Sequence, residues 1–427
     1  MRSGLPEAAV TKRVIEPLTR VEGHGRVELR LSQGRLQSVR LDLNESPRLF
    51  EAMLLGRHWL EVPELVCRIC GICSAVHKLT ALAALEQAVG IRIPPPAAVV
   101  RELLLLGGHI QSHALHLFCL VLPDFYSASN VLELVRERNP LAMAGLELKA
   151  FGNRLQELFG GRSVHPVNVV PGGVAHRPAA EELRLLLDDL CAWDDRWLRL
   201  AAEYLDKAAY PAAEPVLGNL LAAGGRGEFS LSGEQLWLGS GEVVPVSQYR
   251  RLLREQPAAV SHAKHSTGAE GPFLVGALAR LVLAEGKGHG LGWTPGETGI
   301  YENNAAQVHE IGWALQRARA LVDRLLASPG ESPLRSVELP SRAGVGTAAC
   351  EAPRGLLIHQ YVLDEEGRVL DADVVTPTAI NQLVMAGQMR LDLAEIQEEQ
   401  LMAGVAEQIV RAYDPCISCA VHLLKVR

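Results

Sequence analysis

Arg68-Ile-Cys70-Gly-Ile-Cys73-Ser-Ala-Val-His77 and Asp414-Pro-Cys416-Ile-Ser-Cys419-Ala-Val-His422 are the stretches whose reading decides this chain. Each carries a CxxC pair, and a histidine closely follows each pair. Together they supply four thiolates, a soft set suited to zinc, iron–sulfur, copper or nickel. A structural zinc site with four cysteine ligands is the plainer alternative. Three features weigh against it. Nearly the whole chain separates the pairs, whereas zinc ribbons keep them within about twenty residues. Each pair has its own histidine. The second pair sits behind Asp414-Pro415 near the C-terminal end, where a zinc knuckle has little chain to organise.

The rest of the composition narrows the class. With 427 residues, 48% hydrophobic and 21% charged, the chain can bury a large core and is not disordered. A net charge of −7 supplies no basic face for nucleic acid or an anionic membrane. Eight cysteines are too few for a disulfide scaffold in a chain of this length. Of the other four, Cys67 is an extra thiol beside the first pair, either an inert buried cysteine or an oxidation-sensitive neighbour, with the inert reading the commoner, and Cys119, Cys191 and Cys350 read as core-filling. The N-terminal MRSGLPEAAVTKRVIEPL has no apolar core of signal-peptide type.

Residues 97–122 are apolar enough to be mistaken for a membrane span. They contain Arg101, Glu102, Gln111 and three histidines, His109, His113 and His116, so a buried helix of a soluble protein is expected. The prolines at 94–96 and Pro123 mark its ends. Alternation of period two in residues 26–31 and 36–43, around Ser32-Gln33-Gly34, predicts a hairpin in the first 45 residues. A second hairpin is predicted at 355–376, around Glu365-Glu366-Gly367. Helical periodicity covers 74–90, 97–122, 179–208, 271–286 and 303–328, and returns in the last forty residues. The stretch 211–270 is rich in Gly, Pro and Ser and reads as a peripheral lobe. Gly286-Lys-Gly-His-Gly-Leu-Gly292 lacks the spacing of a nucleotide loop, so neither nucleotide nor flavin is expected on this chain. No linker stands out. The expected architecture is a single domain over 1–427, mainly α (α+β), with a long-helix bundle at its centre and small β hairpins at its edges.

Taken as whole motifs, the two cysteine stretches resemble the RxCGxCxxxH and DPCxxCxxH signatures of nickel–iron hydrogenase large subunits. Four further segments fit the same family in order: Thr19-Arg-Val-Glu22-Gly-His24; Pro47-Arg-Leu-Phe-Glu51; His165-Pro166 with Pro171-Gly-Gly173; and Glu351-Ala-Pro353-Arg354-Gly355, leading to Thr376-Pro377-Thr378 and Asn381. The resemblance runs from residue 13 to 422.

That resemblance implies reversible oxidation of H2 to protons and electrons at a nickel–iron centre. Cys70 and Cys416 would be terminal nickel thiolates. Cys73 and Cys419 would bridge nickel to an iron carrying carbon monoxide and cyanide. His77 would hydrogen-bond a bridging thiolate. Arg354 would overhang the open position, paired with Asp414, with Pro353 and Thr378 lining the pocket of the diatomic ligands. Glu22 would be the proton gate beside Cys416, and Glu51 with His422 would help hold a magnesium ion. Too few cysteines remain for an iron–sulfur relay, so the resemblance implies an iron–sulfur small subunit as electron partner. It also implies flavin- or NAD(P)-binding diaphorase-type subunits, nickel-insertion factors, and a maturation protease that removes Leu423–Arg427 after His422. Where many membrane-bound members carry an aspartate before the paired histidines of the long helix, this chain has Ser112. With the short length, that points to the cytoplasmic, cofactor-linked branch. A hydrogen-sensing subunit with the same centre is the alternative, and the C-terminal tail counts against it. The quinone-binding relative in respiratory NADH dehydrogenase lacks the cysteine pairs.

Overall fold

In a computed structural model of the chain, residues 10–46, 48–224, 229–258, 261–268, 271–285, 299–328 and 333–421 are described. The apolar stretch after the proline triplet forms α2 (Pro95–Ala114), preceded by α1 (Ser74–Val89). Pro95 sits in the first turn of α2, where a missing N–H costs nothing. Beyond it the helix widens into a π-helical segment, Leu115–Val121, where Leu122 N–H bonds Leu117 O. Pro123 accounts for the widening: its ring crowds the carbonyl four residues back and it cannot donate. Pro95–Phe125 is long and apolar enough to cross a membrane, yet 83% of its most apolar window is buried inside the protein.

Small residues let the central helices close up. A Cβ on Gly107 of α2 would stand 2.7 Å from Leu155 Cβ in α3 (Pro140–Gly160), and one on Gly152 would stand 2.5 Å from Gln111 N. Asn139 caps α3 by accepting from Ala142 N. The amphipathic α4 (Ala180–Lys207) and α5 (Glu302–Ala327) complete the bundle, with Leu190, Trp193, Trp197 and Leu315 in its core. Cys191 corrects one expectation. It is exposed, because it falls just off the α4 stripe formed by Leu183, Leu186, Leu190 and Trp193; Cys119 and Cys350 are buried as expected.

Three sheets of three or four strands, with two two-stranded ones, surround the helices among the described residues. The N-terminal hairpin pairs β2 (Gly25–Ser32) with β3 (Arg35–Leu43) through Gln33 and Gly34, both left-handed. An added edge strand, β1 (Val10–Ile15), pairs with β2. This sheet packs on α6 (Pro377–Asp392) and α7 (Glu399–Ala412) through Val27, Leu29, Met385 and Ile409. The expected hairpin at 355–376 is β5 (Gly355–Leu363) and β6 (Val369–Val375). It is extended by β4 (Gly344–Ala352), whose Gly344 and Gly346 let the backbone of α1 lie directly on the strand. The stretch 211–270 contributes short strands, and Phe273–Leu274 joins them by pairing with Asn219–Leu220. The helix expected at 271–286 is therefore shorter, Ala277–Leu283. The glycine-rich loop 286–292 lies outside the described residues.

Candidate metal centre

Both CxxC pairs sit at helix starts. Cys73 precedes α1 as its N-cap residue, and Cys416 precedes the short turn Ile417–Ala420. The start of α1 places the positive end of a helix at Cys73, which favours anionic sulfur. The four Sγ atoms converge: Cys70 to Cys416 is 3.4 Å, Cys73 to Cys419 is 3.0 Å, Cys416 to Cys419 is 2.9 Å and Cys73 to Cys416 is 3.9 Å. All lie within 4.8 Å of one another and all are buried. None forms a disulfide.

Burial and mutual repulsion set the charge of this cluster. The hydrogen bonds of its neighbours lower the Cys70 thiol well below its ordinary range. Cys416 and Cys419 are pushed well up, burial first, and Cys73 is also raised, although its contacts with Cys416 and Cys419 pull it down. Four thiolates together need positive charge among them, which a multivalent metal delivers.

The second pair is locked to the N-terminal strand region. Glu22 bridges Cys416, and Ile417 N donates to Glu22 O at 3.1 Å. The Glu22 carboxylate accepts from Ser418 N at 3.2 Å and from Ser418 Oγ, two residues beyond Cys416. Burial, then the Cys70 charge, raises its pKa. Gly23 makes the approach possible: its φ is +86° and a Cβ would stand 2.8 Å from Ile417 Cβ. On the other side Thr378 Oγ1 accepts from Cys416 N at 2.8 Å.

Pro353 and Arg354 are the two-residue loop between β4 and β5, so the sheet aims them rigidly. Arg354 Nε donates to Asp414 Oδ1 at 3.1 Å, while Nη1 and Nη2 are buried without a hydrogen-bond partner. Desolvation opposes its charge, but Asp414 and then Cys416, Cys73 and Cys70 hold it protonated. Asp414 adopts a left-handed φ of 48°, a strain of about 1–3 kcal/mol that its partners offset. Its Oδ2 accepts from Gln307 Nε2 at 3.1 Å, and Gln307 Oε1 meets His116 Nδ1 at 2.6 Å. Arg280 clamps the loop from behind, donating to Pro353 O at 3.1 Å and pairing with Glu310 and Glu351. Sequence reading passed over Gln307 and Arg280, since isolated polar residues on helices carry no local signal. Ser112 is fully buried in the same helix as His113, with its hydroxyl unpartnered.

His77 reaches the cluster with Nε2 at 3.6 Å from Cys419 Sγ. Its Nδ1 is 3.1 Å from His359 Nε2, and His359 Nδ1 is 2.6 Å from Tyr361 OH. Burial lowers His77 to about 4 and His359 well below its ordinary value, so both rings are neutral. Tyr361 can donate to His359 Nδ1, His359 Nε2–H to His77 Nδ1, and His77 Nε2–H to sulfur. Every donor in this assignment points toward the thiolate. His359 and Tyr361 alternate on one strand, and nothing in their sequence marked them.

Other expected residues are placed as follows. His165 and Pro166 pack on the first cysteine loop: His165 N donates to Ser74 Oγ at 3.0 Å, and Lys78 Nζ donates to Pro166 O at 2.7 Å. Cys67 stays outside the tetrad, its thiol raised by burial and donating to Glu64 O at 3.3 Å. Glu51 belongs to a second cluster with Glu255 and Asp373. His422 and residues 423–427 lie outside the described residues.

Comparison with known proteins bears on this arrangement. The model of the nickel-dependent hydrogenase family matches residues 48–143 and 304–422, and a HoxL-like model matches residues 13–45. Sulfhydrogenase 2 subunit alpha of Pyrococcus furiosus is 35% identical, over 96% of this chain and 99% of its own length. Sulfhydrogenase 1 subunit alpha of the same organism is 36% identical, over 96% and 98%.

The chain belongs to the nickel-dependent hydrogenase family.

As a nickel–iron hydrogenase large subunit, it is an oxidoreductase acting on hydrogen. Its architecture is that of a solved NAD+-reducing [NiFe]-hydrogenase in the H2-reduced state, with a TM-score of 0.85, 27% identity, and coverage of 97% of this chain and 100% of that one. The donor set of this hydrogenase fits a thiolate-bound metal group. Four soft sulfurs share a buried site, with separations bracketing the roughly 3.8 Å expected for sulfurs about 2.3 Å from one metal. A buried guanidinium has two unpartnered donors beside them.

Proposed function

We propose that Cys70 and Cys416 are terminal nickel ligands and that Cys73 and Cys419 bridge nickel to an iron bearing carbon monoxide and cyanide. The observation that carries this reading is the convergence of four buried Sγ atoms from opposite ends of the chain, beside Arg354. When bound, the nickel–iron group supplies the redox-active metals at which hydrogen is split into a proton and two electrons with a second proton.

The residues of the chain handle what the split releases. Glu22 receives a proton by way of the Cys416 sulfur. Its half-buried carboxylate, held on the Cys416 loop through Ser418, supports the role, as does its raised pKa. Arg354 holds positive charge over the thiolates, and Asp414 keeps its fork oriented by engaging Nε alone. Thr378 orients Cys416 through its amide rather than only lining a pocket. His77, backed by His359 and Tyr361, tempers the charge on Cys419. Among the described residues, Cys67, Cys119, Cys191 and Cys350 join no group of metal ligands, so electrons leave through an iron–sulfur small subunit. Flavin- or NAD(P)-binding subunits downstream fit the relation to an NAD+-reducing hydrogenase. A single functional unit over 1–427, a cytoplasmic location, and nickel insertion followed by proteolysis after His422 belong to the same reading.

Elemental analysis and infrared spectroscopy of the purified complex test it. One nickel per large subunit, with iron in excess of nickel because the small subunit's clusters add to it, and carbonyl and cyanide stretches are expected; zinc without nickel sinks the reading. Intact mass of the same sample reads whether residues 423–427 are removed, and hydrogen turnover with a soluble acceptor separates an enzyme from a sensor. Replacing Tyr361 with Phe removes the head of the donor string. The sulfur then becomes more electron-rich, and the carbonyl stretch is expected at lower frequency with metal content unchanged. An unmoved stretch would show that the string does not reach the centre.

A further inference from the structure

Glu51 lies on the short helix Phe50–Leu54 and is almost completely buried. The family resemblance calls for a divalent ion on this carboxylate, together with His422. The surroundings of Glu51 do not fit one. Lys264 Nζ stands 3.2 Å from Glu51 Oε1 and 3.1 Å from Oε2, and 2.9 Å from Glu255 Oε2. Its three N–H groups thus have three carboxylate oxygens to meet. Glu51 Oε1 also accepts from Val374 N at 3.0 Å. Magnesium demands oxygens at about 2.0–2.1 Å in octahedral array, with retained waters. Here the oxygens turn toward an ammonium that would repel a second cation.

The charges around Glu51 come within one of balance. Three carboxylates gather within 4.8 Å of one another, from Glu51, Glu255 and Asp373. Two cations face them: Lys264, from the strand Lys264–Thr267, and Arg250, which meets Asp373 Oδ2 at 2.8 Å. Tyr249 OH also donates to Asp373 Oδ2 at 2.5 Å. Glu255 and Lys264 lie on paired strands, Arg254–Pro257 and Lys264–Thr267, so the hairpin carries both the counter-charge and its second acid. Glu51 is joined to β6 through Val374 N, and its charge is felt by Tyr361, the outer member of the donor string.

We infer that Lys264 is the resident cation of this cluster, and that its ammonium does the work of a divalent ion by tying Glu51 to Glu255 behind β6. The inference rests on the metal-centre reading only for where the family's ion is expected. It makes the protein independent of magnesium at this site. Removing the ammonium leaves Glu51, Glu255 and Asp373 with Arg250 as their one remaining cation on the described elements, a set of hard oxygens suited to a divalent ion.

The test uses the complete nickel-loaded complex, exchanged into metal-free buffer with chelator. Expected for the native protein are full nickel and iron, magnesium far below one per nickel, and unchanged infrared bands and melting temperature. For Lys264→Gln, a lower melting temperature restored by millimolar magnesium is expected. So is Mn2+ binding detected by electron paramagnetic resonance, absent in the native protein. One tightly held magnesium per nickel in the native protein overturns the inference, as does a Lys264→Gln protein that folds and binds no Mn2+. Where Lys264→Gln fails to fold, the magnesium content of the native protein decides alone. Absence of nickel and iron would strike the metal-centre reading instead, and the two failures are distinguishable in one sample.

Discussion

Glu22→Gln is expected to keep the metals and lose turnover. The amide is nearly isosteric: its oxygen can still accept from Ser418 N, and its NH2 can donate to Ser418 Oγ. The Glu22 backbone bridge to Cys416 is untouched. What vanishes is the base. A carboxylate whose pKa is raised by burial takes a proton more readily than an exposed one, whereas an amide takes none. General acid–base groups contribute about 10²–10⁴-fold, and a fall of that order is expected in both hydrogen turnover and H/D exchange. The infrared bands and nickel content should match the native protein. More than a tenth of native activity in fully metallated Glu22→Gln would exclude Glu22 as the proton acceptor.

Arg354→Lys carries the second large effect. The charge is kept, so Asp414 is not left buried and unpaired. The planar fork is lost. In the native protein one nitrogen engages Asp414 while two others stay unpartnered beside the sulfurs. An ammonium is a point charge that Asp414 will capture, leaving no fixed donor over the thiolates. Removing one preorganised donor from a water-poor site costs about 10²–10³-fold in rate, and that loss is expected in kcat with metal content unchanged. A lysine variant turning over at the native rate would show that charge alone suffices.

The two predictions draw on different kinds of legibility. Glu22, Arg354 and the four cysteines were found because each sits in a short run whose residue types belong together. Their geometry was not in those runs. The meeting of Glu22 with Ser418 needs Gly23 to be bare of a side chain, and the aim of Arg354 needs a two-residue loop held by Arg280. β4 escaped notice because Gly344-Val-Gly-Thr-Ala-Ala carries weak alternation. It is a strand because α1 covers it and β5 pairs with it. Cysteine is commonly buried, which predicts Cys191 in the core, but the buried stripe of α4 passes beside it and leaves it exposed.

The sequence by itself determined the donor set, the hairpins with clear alternation, the long helices, and the family, because these depend on residue type and local spacing. Only the tertiary structure decided which groups stand against those donors. Gln307 on Asp414, His359 and Tyr361 behind His77, and Lys264 on Glu51 come from segments about 100 to 280 residues apart. Their partnerships are made by packing and by the cost of burying charge alone, and neither leaves a mark within a short stretch of chain.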